Sequence, residues 1–183
     1  MNKRNYQKEL DKKLEELQKE EKMPTLFLHS CCAPCSSYVL EYLSRYFEIT
    51  VFYYNPNIYP PSEYEERTSE QERLIREFNR EWEYEADRHL IHFVAGTYVP
   101  DDFYAAAKGL EQEPEGGARC TECFKLRLSE AAGGKGRRLR LFYDDAHDKP
   151  LKGRREVEPD RGRDGRGVWC RIPALRFQEE KRI

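Results

Sequence analysis

Two clusters of cysteines, far apart in the chain, constrain this sequence more than any other feature. Five of the six cysteines lie in His29–Cys35 and Arg119–Cys123, which read His-Ser-Cys-Cys-Ala-Pro-Cys and Arg-Cys-Thr-Glu-Cys. Thiolates are the ligands that zinc and iron–sulfur clusters select, and the two-residue gap of a Cys-x-x-Cys lets both sulfurs reach one centre. The sequence therefore predicts a fold that brings both clusters to one metal or iron–sulfur site.

The length and composition fit a single domain. With 183 residues, of which 38% are apolar, the chain is long enough to bury one core of ordinary size. Its first apolar stretch, residues 25–28, is too short for a signal peptide or a membrane span, so we expect no membrane partner and a cytoplasmic location. In that reducing compartment, clustered cysteines indicate metal or redox chemistry rather than a disulfide framework.

Strand and helix patterns alternate between residues 23 and 132. Thr25–His29 and Glu48–Tyr54 are rich in apolar, β-branched and aromatic residues and predict strands, and Ser36–Tyr46 predicts a helix between them. Strand, helix and strand with short connections are typical of a parallel unit, so we expect a three-layer α/β fold around a mostly parallel, Rossmann-like sheet. Such sheets bind ligands at the carboxyl ends of their strands, where Cys31–Cys35 would lie.

Helical periodicity and turn residues predict the remaining elements. They are an N-terminal helix over Asn5–Lys22, a helix over Glu63–Trp82 capped by Ser62, a strand over Leu90–Val94, a helix over Asp101–Lys108, and a helix that begins at Phe124. We therefore expect an N-terminal helix in residues 1–22, a cysteine-rich α/β domain in 23–132, and a tail in 133–183.

The tail differs from the rest of the chain in charge and pattern. Residues 1–134 contain 17 Lys and Arg against 25 Asp and Glu, whereas residues 135–183 contain 15 against 9. Apolar periodicity ends at Ala132, and Arg, Gly, Asp and Pro dominate afterwards, which predicts a disordered segment. A basic tail of this kind normally suggests nucleic-acid binding.

The first cysteine cluster allows two other interpretations. Cys32-Ala33-Pro34-Cys35 is a Cys-x-Pro-Cys between a strand and a helix, as in thioredoxin-like sites, although that mechanism uses neither Cys31 nor a distant second pair. A structural zinc site built from four of the five thiols is the other interpretation, because a closed tetrahedral site needs only two well-placed pairs.

Four segments together resemble the QueH-type epoxyqueuosine reductases: His29–Ser36, Tyr53–Pro60, Glu63–Arg67 and Glu115–Leu128. The resemblance covers about residues 23–132. It implies the last step of queuosine synthesis, in which the epoxide on a modified base of the tRNA anticodon is reduced to the alkene with loss of water. It also implies a 4Fe-4S cluster without cobalamin, a tRNA partner, and an electron donor that the sequence does not identify.

Carried over residue by residue, the resemblance assigns the cluster ligands to Cys31, Cys32, Cys120 and Cys123. Cys35 is the candidate catalytic residue. It is expected beside the cluster, either as the ligand of a second, mononuclear iron that polarises the leaving epoxide oxygen or as a thiol next to it.

Binding of tRNA phosphates is expected to rest on local basic residues, because the first 134 residues are net acidic. The candidates are Arg67, Arg119, Lys125 and Arg127.

The family pattern does not continue past residue 132, but a shifted reading frame restores it. The family reads Tyr-Phe-Thr-Thr-Thr-Leu-Thr-Ile-Ser-Pro-Leu-Lys, then Leu-Pro-Ser-Asp-Phe-Lys-Lys, and ends in Tyr-Arg-Gln-x-Tyr-Cys-Gly-Cys. Back-translation of Leu141–Gly153 with suitable synonymous codons, read from the second base, gives the first segment, and the same offset over Val168–Ile183 gives the second. We therefore interpret the tail as the product of a single-base insertion or deletion near Ala132–Gly134, which also introduced an early stop.

This interpretation has three consequences. The basic tail is not a tRNA-binding arm, and Cys170 is not a ligand. The sheet is incomplete at its C-terminus and lacks the terminal Cys-Gly-Cys pair that the resemblance suggests is redox-active. We expect the chain to have low stability and little or no reductase activity, even where its cysteines bind iron.

Overall fold

The structure, a computed structural model, describes residues 6–21, 23–133 and 141–144. Helices and strands alternate along most of this part of the chain. The elements are α1 Tyr6–Lys19, β1 Thr25–His29, α2 Ala33–Leu43, β2 Glu48–Tyr53, α3 Pro61–Glu81, β3 His92–Ala95, α4 Pro100–Ala106, α5 Ala118–Gly133 and β4 Leu141–Asp144. Within these ranges no helix combines the length and the apolar character needed to cross a bilayer.

The four strands form one parallel sheet in the order β3-β2-β1-β4. β1 pairs with β2 from Thr25 opposite Glu48 to His29 opposite Phe52, and it pairs with β4 on its other side. β2 and β3 are added on one side of β1, whereas β4 is added on the other side, so a topological switch point lies between β1 and β4. α/β proteins bind ligands in the crevice that such a switch point leaves at the carboxyl ends of the strands. The prediction of a mostly parallel, Rossmann-like α/β sheet is confirmed.

Alternate side chains of the central strands bury on opposite faces of the sheet. Leu28 lies in a core with residues of α1, α2 and α3, including Leu10, Leu14 and Leu17, which line one face of α1. On the other face, Phe27 and Phe52 stack with ring centroids 5.3 Å apart and pack on Ala131 of α5. Helices thus cover both faces, which confirms the three-layer arrangement, and each fully buried leucine contributes about 1.5–3 kcal/mol.

The helix after the first cysteine cluster begins earlier than predicted. α2 starts at Ala33 rather than Ser36 and has Cys32 as its N-cap residue. Pro34 lies in its first turn, where the N–H that proline lacks has no helical partner to lose. Cys35 therefore lies on the helix rather than in the loop before it.

Two other helix starts differ from the prediction by two or more residues. α5 begins at Ala118 rather than Phe124, so both cysteines of the second cluster lie in its first turns. α3 has Pro60 as its N-cap residue, so the prediction that Ser62 caps this helix is wrong. Proline again fits the first turn, where its fixed φ suits a helix start.

A short strand forms inside the predicted tail. β4, Leu141–Asp144, pairs with β1 over Leu26–His29, and the sequence patterns did not predict it. The rest of the predicted tail, residues 134–140 and 145–183, lies outside the described residues.

Candidate metal centre

The first cysteine cluster lies at the carboxyl end of β1, the strand next to the switch point. β1 ends at His29, and the chain then passes through Ser30 and Cys31 to the N-cap residue Cys32. Cys32 has extended backbone angles, φ −169° and ψ 161°, so the chain turns directly from strand into helix. The N-terminus of α2 carries partial positive charge, which favours thiolates there.

Three thiols of this segment lie within reach of one metal ion. The Sγ atoms of Cys31, Cys32 and Cys35 all lie within 4.8 Å of one another, and those of Cys31 and Cys32 are 3.7 Å apart. Two thiolates bound tetrahedrally to one ion through bonds of about 2.3 Å lie about 3.8 Å apart. Cys31 and Cys32 are half-buried and Cys35 is exposed. The trio therefore has the spacing and the access that a metal site requires.

Cys32 carries the thiolate of the trio. The thiol of Cys31 donates a hydrogen bond to it and is the largest cause of a pKa lowered to about 5. Burial opposes this shift, whereas the side chain and backbone N–H of Cys35 and the charge of Arg67 support it. A thiolate that already exists at neutral pH binds metal without first releasing a proton.

The metal-free protein should therefore react with iodoacetamide at a low pH. We expect the alkylation rate of its most reactive thiol to be half-maximal near pH 5, because the thiolate of Cys32 is lost only as the pH falls through its lowered pKa of about 5. Rates at a series of pH values, with the modified residue identified by mass spectrometry, check this. Cys32→Ser should remove this component, and a profile unchanged by that substitution would contradict the assignment.

Buried polar groups hold the segment from Ser30 to Ser36, which contains the three cysteines, in place. Gln71 of α3 accepts hydrogen bonds from Ser30 Oγ at 2.9 Å and from Ser36 Oγ at 3.0 Å, on either side of the three cysteines. His29 Nε2 lies 2.9 Å from the carbonyl oxygen of Tyr54, in the next loop along the sheet. The side chains of His29, Ser30, Ser36 and Gln71 are fully buried, so the loop is rigidly positioned.

The second cysteine pair lies in the first turns of α5. Cys123 is buried, and Cys120 is half-buried with its Sγ accepting a hydrogen bond from the N–H of Gly116 at 3.3 Å. Neither residue belongs to the group of three thiols within 4.8 Å. The structure thus brings Cys31, Cys32 and Cys35 together and places Cys120 and Cys123 on a separate element.

α5 nevertheless directs its cysteines toward the same edge of the sheet. Ala131, near the end of the helix, packs on Phe27 in the middle of β1, whereas Arg127, one turn earlier, reaches Asn55 beyond the end of β2. The helix therefore runs antiparallel to the strands. Cys123 lies one further turn toward the N-terminus, about 6 Å along the axis from Arg127 at a rise of about 1.5 Å per residue.

A buried hydrogen-bond chain joins α5 to the first cysteine loop. Arg127 Nη1 donates to Asn55 Oδ1 at 3.2 Å, and Asn55 Nδ2 donates to the carbonyl oxygen of Ser30 at 2.9 Å. Arg127 is only 7% exposed, so its assignment as a tRNA phosphate contact is wrong. The sequence patterns did not predict the buried hydrogen bonds of Asn55 and Gln71. The signal for Asn55 is its position as a polar residue directly after a buried strand. The signal for Gln71 is its place on the helical stripe of α3 that continues to the apolar residue Ile75.

The other basic candidates lie at the surface. Arg67 donates to Glu63 at 2.6 Å, Lys125 pairs with Glu122 at 2.7 Å, and Arg119 donates to the carbonyl oxygen of Glu111 at 3.2 Å. Arg67 and Lys125 are exposed enough to exchange their carboxylate partners for a phosphate at modest cost, because surface ion pairs contribute about 0–1 kcal/mol.

An open cleft lies against the first cysteine cluster. It has a volume of about 520 Å³ and is bounded by the first turns of α2, with Cys32 and Pro34, and by the polar face of α3, with Glu63, Arg67 and Arg73. The thiolate of Cys32 therefore lies on the wall of a space large enough for a nucleobase.

Comparison with known proteins gives a consistent result. The family model described as epoxyqueuosine reductase QueH matches residues 26–138, which is more than half of the chain. The chain is 42% identical over 130 residues to an epoxyqueuosine reductase QueH of Staphylococcus epidermidis, covering 70% of this chain and 52% of that protein. It is 38% identical over 128 residues to that of Streptococcus pyogenes, covering 70% and 48%.

A third relative, the epoxyqueuosine reductase QueH of Acinetobacter baylyi, is 44% identical over 108 residues, with 58% of this chain and 44% of that protein covered. The chain thus spans about half the length of the curated relatives it matches. No solved structure matches it significantly.

Proposed function

Because the chain belongs to the QueH family of epoxyqueuosine reductases, we propose that it reduces epoxyqueuosine to queuosine in the anticodon of tRNA, in the cytoplasm. The observation that carries this proposal is the compact trio of Cys31, Cys32 and Cys35 at the switch point of the sheet, inside the region that matches the family. The reaction is a two-electron reduction. Both carbon–oxygen bonds of the epoxide break, a carbon–carbon double bond forms, and the oxygen takes two protons and leaves as water.

The proposed cofactor is a 4Fe-4S cluster held by Cys31, Cys32, Cys120 and Cys123. The chemistry of these residues supports it, since all four are sulfur ligands and Cys32 has a pKa of about 5. α2 begins directly after β1, and the contacts of Ala131 and Arg127 direct the N-terminal turns of α5 toward the same edge of the sheet, which favours a shared anionic group there. Such a group supplies electrons singly from an external donor.

Cys35 has the role closest to the substrate in this proposal. It is the exposed thiol of the trio and lies within 4.8 Å of the two half-buried thiols. We assign to it the binding of a second iron next to the leaving oxygen, where a Lewis acid lowers the cost of breaking the carbon–oxygen bonds. The cleft beside Cys32 gives the modified base a path to these thiols.

The substrate is bound, in this proposal, through its phosphates and its extruded base. Arg67 lies on the cleft wall, and Arg119 is in the first turn of α5, so both lie near the carboxyl edge of the sheet. Phosphate contacts supply most of the affinity for a nucleic acid and should make binding salt-dependent.

The activity test compares this chain with the product of the restored reading frame. Both are reconstituted anaerobically with iron and sulfide and given epoxyqueuosine-containing tRNA with dithionite, and queuosine is measured by mass spectrometry. We expect turnover by this chain to be at least about 100-fold lower, because small displacements of reacting groups can cost that much. The nucleotide sequence should show that a one-base shift near Ala132 restores the family segments.

The outcomes separate two proposals. A restored-frame protein that is fully loaded with iron and leaves epoxyqueuosine unchanged would overturn the reductase function. Robust turnover by the present chain would instead overturn the interpretation of residues 133–183, and so would a nucleotide sequence in which no one-base shift restores the family segments.

A second candidate is a metal-binding module without reductase activity. The close spacing of Cys31, Cys32 and Cys35 favours it, because three thiolates within 4.8 Å suit one mononuclear ion. Reconstitution distinguishes the two, since an iron–sulfur protein is brown and a zinc protein is colourless. The thiol–disulfide alternative predicts a reducible pair without metal.

A further inference from the structure

Three buried side-chain atoms in the described part of the chain have no hydrogen-bond partner. They are Tyr53 Oη, Gln71 Nε2 and Arg127 Nε. Tyr53 and Gln71 are fully buried, and Arg127 is 7% exposed. An unpaired buried donor is costly, so folded proteins rarely keep one without a reason. Gln71 Nε2 and Arg127 Nε act only as donors, and the hydroxyl of Tyr53 can donate as well. The three atoms thus share a need for an acceptor.

The side-chain amide of Gln71 is hydrogen-bonded to both ends of the first cysteine loop. Its Oε1 accepts from Ser30 and Ser36, the residues that flank the three cysteines. Because these two bonds occupy the oxygen, the orientation of the carboxamide is fixed, and its Nε2 is turned away from both serines. Gln71 therefore presents a fixed donor at the base of the cysteine segment.

Tyr53 and Arg127 approach the same region from other elements. Tyr53 is the last residue of β2, and the nearby thiols of Cys32 and Cys31 contribute to a raised pKa of its hydroxyl, for which burial is the largest cause. Arg127 is linked through Asn55 to the backbone of Ser30, which directly precedes Cys31, and lies one turn from Cys123. The unpaired donors therefore come from β2, α3 and α5, three elements that hydrogen bonds link to Ser30, the residue directly before Cys31.

We propose that Tyr53, Gln71 and Arg127 donate hydrogen bonds to the sulfur atoms of the thiolate-held cofactor and thereby raise its reduction potential. This inference rests on the proposed function and adds the residues that tune the cofactor. A reduced iron–sulfur group is more negative than the oxidised one, so donors to its sulfurs stabilise the reduced state. The donors are positioning residues, because they act through the cofactor and not on the substrate.

Tyr53→Phe is the most direct test, because it removes only the hydroxyl. The matched control is Tyr54→Phe, the neighbouring buried tyrosine, whose hydroxyl donates to Asp102 at 3.2 Å instead. The full chain is reconstituted anaerobically with iron and sulfide, and its midpoint potential is measured by redox titration of the visible absorbance. The unfolding temperature of each metal-free protein is measured in parallel.

In Tyr53→Phe we expect the ratio of reduced to oxidised cofactor at a fixed potential to fall about tenfold, which is about 59 mV for one electron. The control should retain the midpoint of the unchanged chain. In the metal-free proteins the variants should differ in the opposite way. Tyr53→Phe should unfold at the same temperature as the unchanged chain or at a higher one, because it removes a hydroxyl without a partner. Tyr54→Phe should unfold at a lower temperature than the unchanged chain. Gln71→Met should shift the midpoint in the same direction as Tyr53→Phe.

Each failure has its own signature. An unchanged chain that takes up no iron overturns the proposed cofactor and this inference with it. A brown protein in which Tyr53→Phe and Gln71→Met keep the unchanged midpoint overturns the donor role alone, and the unpaired atoms then bind buried water. Equal midpoint shifts in Tyr53→Phe and Tyr54→Phe also overturn it, since the effect would not depend on the unpaired hydroxyl.

Discussion

Cys32→Ser is expected to abolish incorporation of the proposed iron–sulfur group, lowering the iron bound after reconstitution at least about tenfold relative to the unchanged chain. Cys32 supplies the thiolate of the trio, with a pKa of about 5, and lies 3.7 Å from Cys31. A serine hydroxyl keeps its proton at neutral pH and is a poor ligand for iron. Iron per chain and the visible charge-transfer absorbance measure the effect.

Two other cysteines serve as comparisons for that variant. Cys170→Ser should retain the iron of the unchanged chain, because Cys170 lies outside both cysteine clusters in the sequence. Cys35→Ser should retain the cluster and lose substrate reduction in the restored-frame protein. Equal iron contents in Cys32→Ser and Cys170→Ser would contradict the ligand assignment. Undiminished reduction by Cys35→Ser with full iron would remove its catalytic role.

Asn55→Leu is expected to destabilise the metal-free protein by about 3–5 kcal/mol. Asn55 is 1% exposed and bonds both to the guanidinium of Arg127 and to the carbonyl oxygen of Ser30. Leucine leaves the buried charge without that acceptor and the carbonyl without that donor. Such a loss is a large part of the total stability of a domain, which is about 5–15 kcal/mol. Urea unfolding followed by circular dichroism measures it.

The neighbouring asparagine provides the control. Asn57 lies two residues further along and is exposed, so Asn57→Leu should change stability by less than about 0.5 kcal/mol. The double variant Asn55→Leu with Arg127→Met should recover much of the loss, because it removes the unpaired charge as well. If Asn55→Leu and Asn57→Leu unfold at the same urea concentration, the buried chain of hydrogen bonds does not stabilise the fold.

Local patterns predicted most of the secondary structure. β1 was predicted with its observed ends, and β2 with an error of one residue, because a buried parallel strand needs a continuous apolar run and the turn residues that follow stop it. The starts of α2 and α5 were predicted three and six residues late. Both helices begin with cysteines or small residues rather than with an apolar stripe, so periodicity gave no signal there.

The position of β4 needed the rest of the sheet. Leu141–Asp144 is a short segment in a charged region, and it forms a strand because β1 offers an edge with unpaired backbone groups. The sequence also suggested that Arg127 is a surface cation. In the structure its side chain is buried and donates a hydrogen bond to Asn55. A helical residue's environment depends on which face the sheet covers, and that is a property of the packed structure.

From its sequence alone, this protein has two groups of thiols suited to iron or zinc, an alternating α/β pattern, and a break in character after Ala132. These depend on residue type and spacing along the chain. Tertiary structure alone decided that Cys31, Cys32 and Cys35 form one compact group, that Cys120 and Cys123 lie on α5, and that Tyr53, Gln71 and Arg127 are buried without full pairing. Distances and burial arise from contacts between segments that are remote in sequence, so no local pattern encodes them.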